Sequence, residues 1–191
     1  TEELVNLCAS WAASNKIQDA PLQILEVGTG SGCIAIALQQ KMPAAIITAI
    51  DMSAKAIEVA TINAAKYNAP IQFKTLDFLD ESNWPELGSF DIIISNPPYI
   101  ADIEKESMAG HVLNFEPHMA LFVKDNDPLI FYSAIAKFGN KYLHKDGAVF
   151  VEINQALGIQ TQGVFEQNNY TTLLKKDLFE NDRMIVATKN K

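Results

Sequence analysis

Ile24-Leu25-Glu26-Val27-Gly28-Thr29-Gly30-Ser31-Gly32-Cys33 is an apolar, strand-like run that passes into three glycines at alternate positions and then into a helical run. Glycine at such a turn lets the backbone bend sharply and come close to a ligand, because no side chain stands between them. A nucleotide-like ligand is implied. The dinucleotide fingerprint G-x-G-x-x-G/A is not met, since its last position is Cys33, and no Gly-Lys-Ser/Thr follows to make a P-loop. What remains is G-x-G-x-G, with Gly28, Thr29, Gly30, Ser31 and Gly32 as the loop that meets the ligand.

Outward from that loop, short β-branched runs alternate with segments of helical period, which is the pattern of a βαβ series. Strands are predicted at 23–27, 46–51, 71–75, 90–95, 148–153, 170–174 and 184–188. Helices are predicted at 4–13, 33–40, 54–67, 129–142 and 157–167, with Ser53 as N-cap of the third. The expected fold is a doubly wound, mostly parallel seven-stranded α/β sheet of Rossmann-like form, which binds ligands outside the carboxyl ends of its strands. The one long irregular stretch, residues 96–127, follows the fourth strand, and loops of that length inside a compact domain are usually functional.

The second strand ends in Ile50-Asp51, about 20 residues past the glycines, where a carboxylate can accept both ribose hydroxyls. The alternative is that Asp51 only caps the helix beginning after Met52. Glu26 sits where its carboxylate can serve the ammonium of a methionine moiety, directly or through water. Asp77 and Phe78 close the third strand, an acid for an adenine amino group and a ring to stack on it; Phe78 is equally well placed to be core.

The fourth strand runs into Asn96-Pro97-Pro98-Tyr99. Each proline sets its own φ, holds the residue before it extended and offers no N–H, so the loop presents acceptors: the Asn96 side-chain oxygen and the Pro97 carbonyl. Two acceptors suit a planar NH2 group. They can aim its nitrogen at a methyl donor, supplying orientation rather than proton abstraction, while the Tyr99 ring packs against the planar group.

With 191 residues, 48% of them hydrophobic, the chain can bury one full core, so one domain is expected. No run approaches the roughly 18 apolar residues of a membrane span and the N-terminus lacks secretory signal order, so a soluble, cytoplasmic protein with no membrane partner is expected. A net charge of -8 argues against a chain that grips nucleic acid through its phosphates. Cys8 and Cys33 read as small buried apolar residues. His111, His118 and His144 lack metal-ligand spacing and have no nucleophile to serve, so no metal and no catalytic histidine are expected. Asp125, Asp127 and Asp146 read as turn and cap residues.

Taken with Phe115-Glu116-Pro117-His118-Met119-Ala120-Leu121, these motifs resemble the HemK/PrmC family of release-factor glutamine N5-methyltransferases. That segment is similar to the family's F-E-P-x-x-A-L, and the likeness runs over nearly the whole chain. The resemblance implies S-adenosyl-L-methionine as cofactor, with S-adenosyl-L-homocysteine as product, and peptide chain release factors as partner and substrate. By the same resemblance Gly28 to Gly32, Asp51, Phe78 and Asn96 contact the cofactor, while Asn96, Pro97, Pro98 and Tyr99 hold the substrate glutamine. Glu116 and Pro117 would order the loop. Phe78 stands where the family often has Trp, a change that keeps stacking.

The family also joins a small helical domain to the catalytic one through R-P-x-T-E, and this chain opens with Thr1-Glu2. Residues 1–191 are therefore expected to be the catalytic domain, without the N-terminal helical substrate-recognition domain. Two other functions use the same features. An exocyclic amine of adenine or guanine presents the same planar NH2 to the loop. A non-catalytic cofactor-binding module would be favoured by a broken glycine loop or a lost Asn96, and both are intact.

Overall fold

The computed structural model describes residues 1–15, 21–98, 100–101, 122–123 and 127–190. The apolar runs become strands where the pattern places them: β1 (Gln23–Val27), β2 (Ile46–Asp51), β3 (Gln72–Thr75) and β4 (Phe90–Ser95). Helices α1 (Glu2–Ser14), α2 (Cys33–Lys41) and α3 (Ala54–Lys66) belong to the same half. The Ser53 hydroxyl accepts from the Ala56 N–H at 3.3 Å and so satisfies one of the orphan donors at the start of α3.

The long stretch after β4 is drawn together at its ends, for β5 (Ile100–Ala101) pairs in parallel with β6 (Phe122–Val123). Then come α4 (Ile130–Tyr142), β7 (Leu143–Glu152), α5 (Gly158–Gln167), β8 (Tyr170–Lys176) and β9 (Asp182–Lys189). β7 begins five residues ahead of the predicted 148, which corrects the expectation that Asp146 lies in a turn. Lys145-Asp146-Gly147 has turn composition, yet it is strand, with a register shift against β4 between Phe90 and Ile92. Glycine is needed at 147 for packing, because a Cβ there would lie 2.6 Å from the Asp91 carbonyl oxygen.

Among the described residues the main sheet has seven strands in the order β3-β2-β1-β4-β7-β9-β8. All neighbours are parallel except β9, which runs antiparallel to both β7 and β8. The chain leaves β1 toward β2 and β3, then returns to lay β4 on the other flank of β1. That reversal is the switch point where a parallel sheet opens a crevice at its carboxyl ends.

β4 is buried along its whole length. Its alternate residues feed two cores. Ile92 and Ile94 face the layer of Leu4, Cys8, Ile34 and Leu38 from α1 and α2, while Ile93 faces Tyr132, Ile135, Phe138 and Phe165 from α4 and α5. Each fully buried Ile or Leu contributes about 1.5–3 kcal/mol, so these strands hold their carboxyl ends far more firmly than any one polar link at the edge. Cys8 is core as expected, its thiol pushed up to about 12 by burial. Cys33 is a correction: as the first residue of α2, on the outer side of the glycine turn, it is exposed. No helix among the described residues is long and apolar enough to cross a membrane.

Candidate active site

Parallel register sets the ends of β1, β2 and β4 side by side, with Val27 opposite both Ile50 and Ser95. The glycine loop leaves β1 there. Gly28, Gly30 and Gly32 have φ of 74°, 55° and 82°, all in the left-handed region. The Gly28 and Thr29 N–H groups both donate to the Ile50 carbonyl, at 2.9 and 3.0 Å, which ties the turn to β2. A Cβ on Gly28 or Gly30 would meet nothing within 4 Å, whereas one on Gly32 would lie 3.1 Å from the Ala60 Cβ. The first two glycines therefore border open space, and the third allows α3 to approach.

Asp51 braces this loop. Its Oδ2 accepts from the Gly30 N–H at 2.9 Å and its Oδ1 from the Ser53 N–H at 2.9 Å. The α3 cap is the Ser53 hydroxyl, so Asp51 holds the capping residue rather than the helix, and each of its carboxylate oxygens keeps a lone pair for a further donor. The Ser31 carbonyl is held by the Asn63 side-chain amide at 3.0 Å.

Glu26 is 1% exposed. Its Oε2 accepts from the Thr29 hydroxyl at 2.6 Å and from the Ala35 N–H, in the first turn of α2, at 3.1 Å. Gly32 has no side chain to cap that helix, and Glu26 does so from the sheet. Burial drives the carboxyl up to about 8, further raised by the Asp51 charge and restrained by its two hydrogen bonds. Oε1 is buried with no partner. An unpartnered buried carboxylate oxygen beside an open glycine turn suits a ligand ammonium.

Asp77 is exposed, its Oδ1 accepting from the Leu79 N–H at 3.0 Å. Phe78 corrects the stacking expectation. Its ring is 4% exposed, with centroids 5.7 Å from Trp84 and 5.3 Å from Phe138, so it packs in the aromatic core, the other place its position suited. The cause is the following 3-10 turn (Glu81–Glu86), which lays Trp84 over Phe78 and lets the indole N–H donate to the Phe78 carbonyl at 2.8 Å.

At the end of β4 the Ser95 hydroxyl donates to the Val27 carbonyl at 2.7 Å, fastening the Asn-Pro-Pro loop to the root of the glycine loop. Pro97 is buried, and Asn96 and Pro98 are half-buried. The Asn96 Nδ2 donates to the Thr1 hydroxyl at 3.2 Å, and its Oδ1 is a buried acceptor without a partner. Tyr99, and with it His111, Glu116, Pro117, His118 and the whole 115–121 segment, lies outside the described residues, as does Asp125. His144 sits at the opposite edge, its Nδ1 2.9 Å from Asp91 Oδ1. A groove of about 420 Å³ runs between the start of α1 and the length of α2, from Cys33 to Lys41, and reaches this edge at Thr1 and Cys33.

Glu152 is the residue the sequence reading passed over. It ends β7, one position past the Val151–Ser95 pair, and is 7% exposed. The sequence offers only a carboxylate at the carboxyl end of an apolar strand; that it lies level with Asn96 follows from the β4–β7 pairing.

Sheet order, reversed β9 and a glycine loop after β1 together define a class I methyltransferase fold. The chain belongs to the methyltransferase small domain family, whose model matches residues 13–121. In fold it is similar to the ribosomal protein L11 methylase from Lactobacillus delbrueckii subsp. bulgaricus, with a TM-score of 0.66 and 22% identity over 100% of this chain and 79% of that one. In sequence it is 43% identical to the release factor glutamine methyltransferase of Flavobacterium psychrophilum, over 97% of this chain and 64% of that protein. It is 40% identical to the protein of the same name from Bacteroides thetaiotaomicron, over 87% of this chain and 60% of that protein. The chain thus spans less than two thirds of the length of either relative.

Proposed function

We propose that residues 1–191 are the catalytic domain of a methyltransferase that uses S-adenosylmethionine to methylate the side-chain amide nitrogen of a glutamine in a peptide chain release factor. The observation that carries this reading is the buried, unpartnered Asn96 Oδ1 at the sheet switch point, where the chain also leaves Glu26 Oε1 unpartnered. The names of the two relatives support the substrate.

The residues present suit the cofactor. Glu26 would take the ammonium, Asp51 the ribose hydroxyls, and the open side of Gly28 and Gly30 would let the ligand lie against backbone. Bound there, the cofactor supplies a methyl group on a sulfonium, open to direct displacement. An amide nitrogen is a weak nucleophile because its lone pair is delocalised, so the chain's task is orientation. Asn96 Oδ1 and the Pro97 carbonyl each accept one N–H and turn the lone pair toward the methyl group. Tyr99 would close over the amide plane. After transfer the sulfur leaves as the neutral thioether and the nitrogen gives up one of those protons to solvent, so no base is needed before it.

The test is transfer of labelled methyl to a purified release factor, with tRNA, rRNA and DNA assayed in parallel. Label at a single glutamine is the expected result. Label on nucleic acid alone would replace the substrate with an exocyclic base amine, and cofactor binding without any transfer would make the chain a binding module.

A further inference from the structure

A carboxamide is nearly symmetric in shape, so packing alone does not decide which end of Asn96 faces the crevice. Only the oxygen end can hold a substrate N–H. The structure contains a chain of hydrogen bonds that makes the choice. Asn96 Nδ2 donates to the Thr1 hydroxyl at 3.2 Å, and that hydroxyl donates to Glu152 Oε2 at 3.0 Å. The Thr1 main-chain nitrogen lies 3.1 Å from the same carboxylate oxygen.

We infer that Glu152, acting through the Thr1 hydroxyl, is a positioning residue that sets the direction of the Asn96 amide. In the structure Glu152 is the acceptor of this chain and Thr1 the donor. The hydroxyl must therefore spend its one proton on Glu152 and has only lone pairs left for Asn96. Asn96 must in turn give its NH2 to Thr1 and keep Oδ1, the buried acceptor without a partner, for a further donor. Parallel pairing of β4 with β7 brings Asn96 and Glu152 level at the sheet edge. Burial of Glu152 to 7% exposure keeps water from offering its carboxylate an easy substitute. This role rests on the proposed role of Asn96, and it extends the site to α1 and β7.

Three substitutions test it. Thr1→Val removes the hydroxyl at constant shape, Thr1→Ser keeps it, and Glu152→Gln replaces an acceptor with a group that also donates. In Thr1→Val and Glu152→Gln, kcat for glutamine methylation should fall about 10- to 100-fold, as expected when a reacting group is mis-oriented. Cofactor Kd and thermal midpoint should stay near wild type, and Thr1→Ser should restore most of the rate. The side-chain amide NMR signals of Asn96 should move in Thr1→Val and Glu152→Gln and stay put in Thr1→Ser. A wild-type rate and an unmoved Asn96 signal in Thr1→Val, or an equal loss in Thr1→Ser, would overturn the inference. Should the wild-type chain methylate no release factor, the substrate reading falls, and the Asn96 signals still decide the positioning chain.

Discussion

Glu26 and Thr29 are joined by a 2.6 Å hydrogen bond that occupies one carboxylate oxygen and leaves the other buried and bare. Because burial lifts the Glu26 carboxyl to about 8, the folded chain without cofactor keeps this proton across a range where the unfolded chain, titrating near 4.5, has lost it. The folded state then binds more protons than the unfolded state, so the Glu26 contribution to stability must fall as pH rises from about 4.5 to 8. An ammonium ligand reverses the preference by neutralising the carboxylate. Thermal unfolding with and without S-adenosylhomocysteine at several pH values should show the ligand's stabilising shift widening up to pH 8. Glu26→Gln should flatten that trend, and an unchanged trend in the variant would remove Glu26 from the ammonium site.

Asn96 and Asp51 serve different halves of the reaction and should separate in kinetics. Asn96→Ala is expected to lower kcat by about 100-fold through lost orientation while the cofactor Kd changes little. Asp51→Ala takes a charged acceptor from the ribose and from the Gly30 N–H together. It should weaken cofactor binding by about 1–3 kcal/mol, the usual cost of leaving such groups unsatisfied. Calorimetric titration with the cofactor measures both dissociation constants and labelled-methyl transfer measures the rates; full activity in Asn96→Ala would discard the orientation mechanism.

Gly30 and Gly32 both have a positive φ, in different surroundings. Alanine at either carries a left-handed strain of about 1–2 kcal/mol. At Gly32 the added Cβ also presses on Ala60, 3.1 Å away, so Gly32→Ala should lower the melting temperature more than Gly30→Ala. Gly30→Ala, whose Cβ enters the open side of the loop, should lose more cofactor affinity than stability. Adding Ala60→Gly should recover part of the Gly32→Ala loss and none of the Gly30→Ala loss.

Tyr170 and Gly139 form a packing pair on the far side of the sheet. The Tyr170 hydroxyl, 3.1 Å from the Ala136 carbonyl to which it donates, fills the space a Gly139 side chain would need. Gly139→Ala alone should destabilise, despite a helix propensity gain of about 1 kcal/mol. In the Tyr170→Phe background the same change should cost less or stabilise. A double-mutant cycle by urea unfolding should return a coupling of about 0.5–3 kcal/mol, and additive effects would contradict the packing.

The fold was largely written in periodicity. β1, β2 and β4 match their apolar runs at both ends, because buried parallel strands need continuous β-branched stretches with sharp polar limits. The first half of β7 was not legible, since Lys145-Asp146-Gly147 has turn composition and lies at a register shift against β4, where the backbone comes too close to Asp91 for any side chain at 147. Phe78 shows the limit at the site: its place next to a strand end suits stacking or core equally, and Trp84, six residues on, decides for core. Glu152 stayed hidden because its meaning lies in β4–β7 pairing, which brings together residues more than 50 positions apart in the sequence.

β9 lies between β7 and β8, and every main-sheet bond of β8 is to β9. During synthesis, α5 and β8 are therefore made before the strand that anchors β8 to the rest. Pairing of β8 into the main sheet must therefore wait until residues 182–189 have been made, so the edge strand of the folded sheet depends on a segment that follows it in the chain.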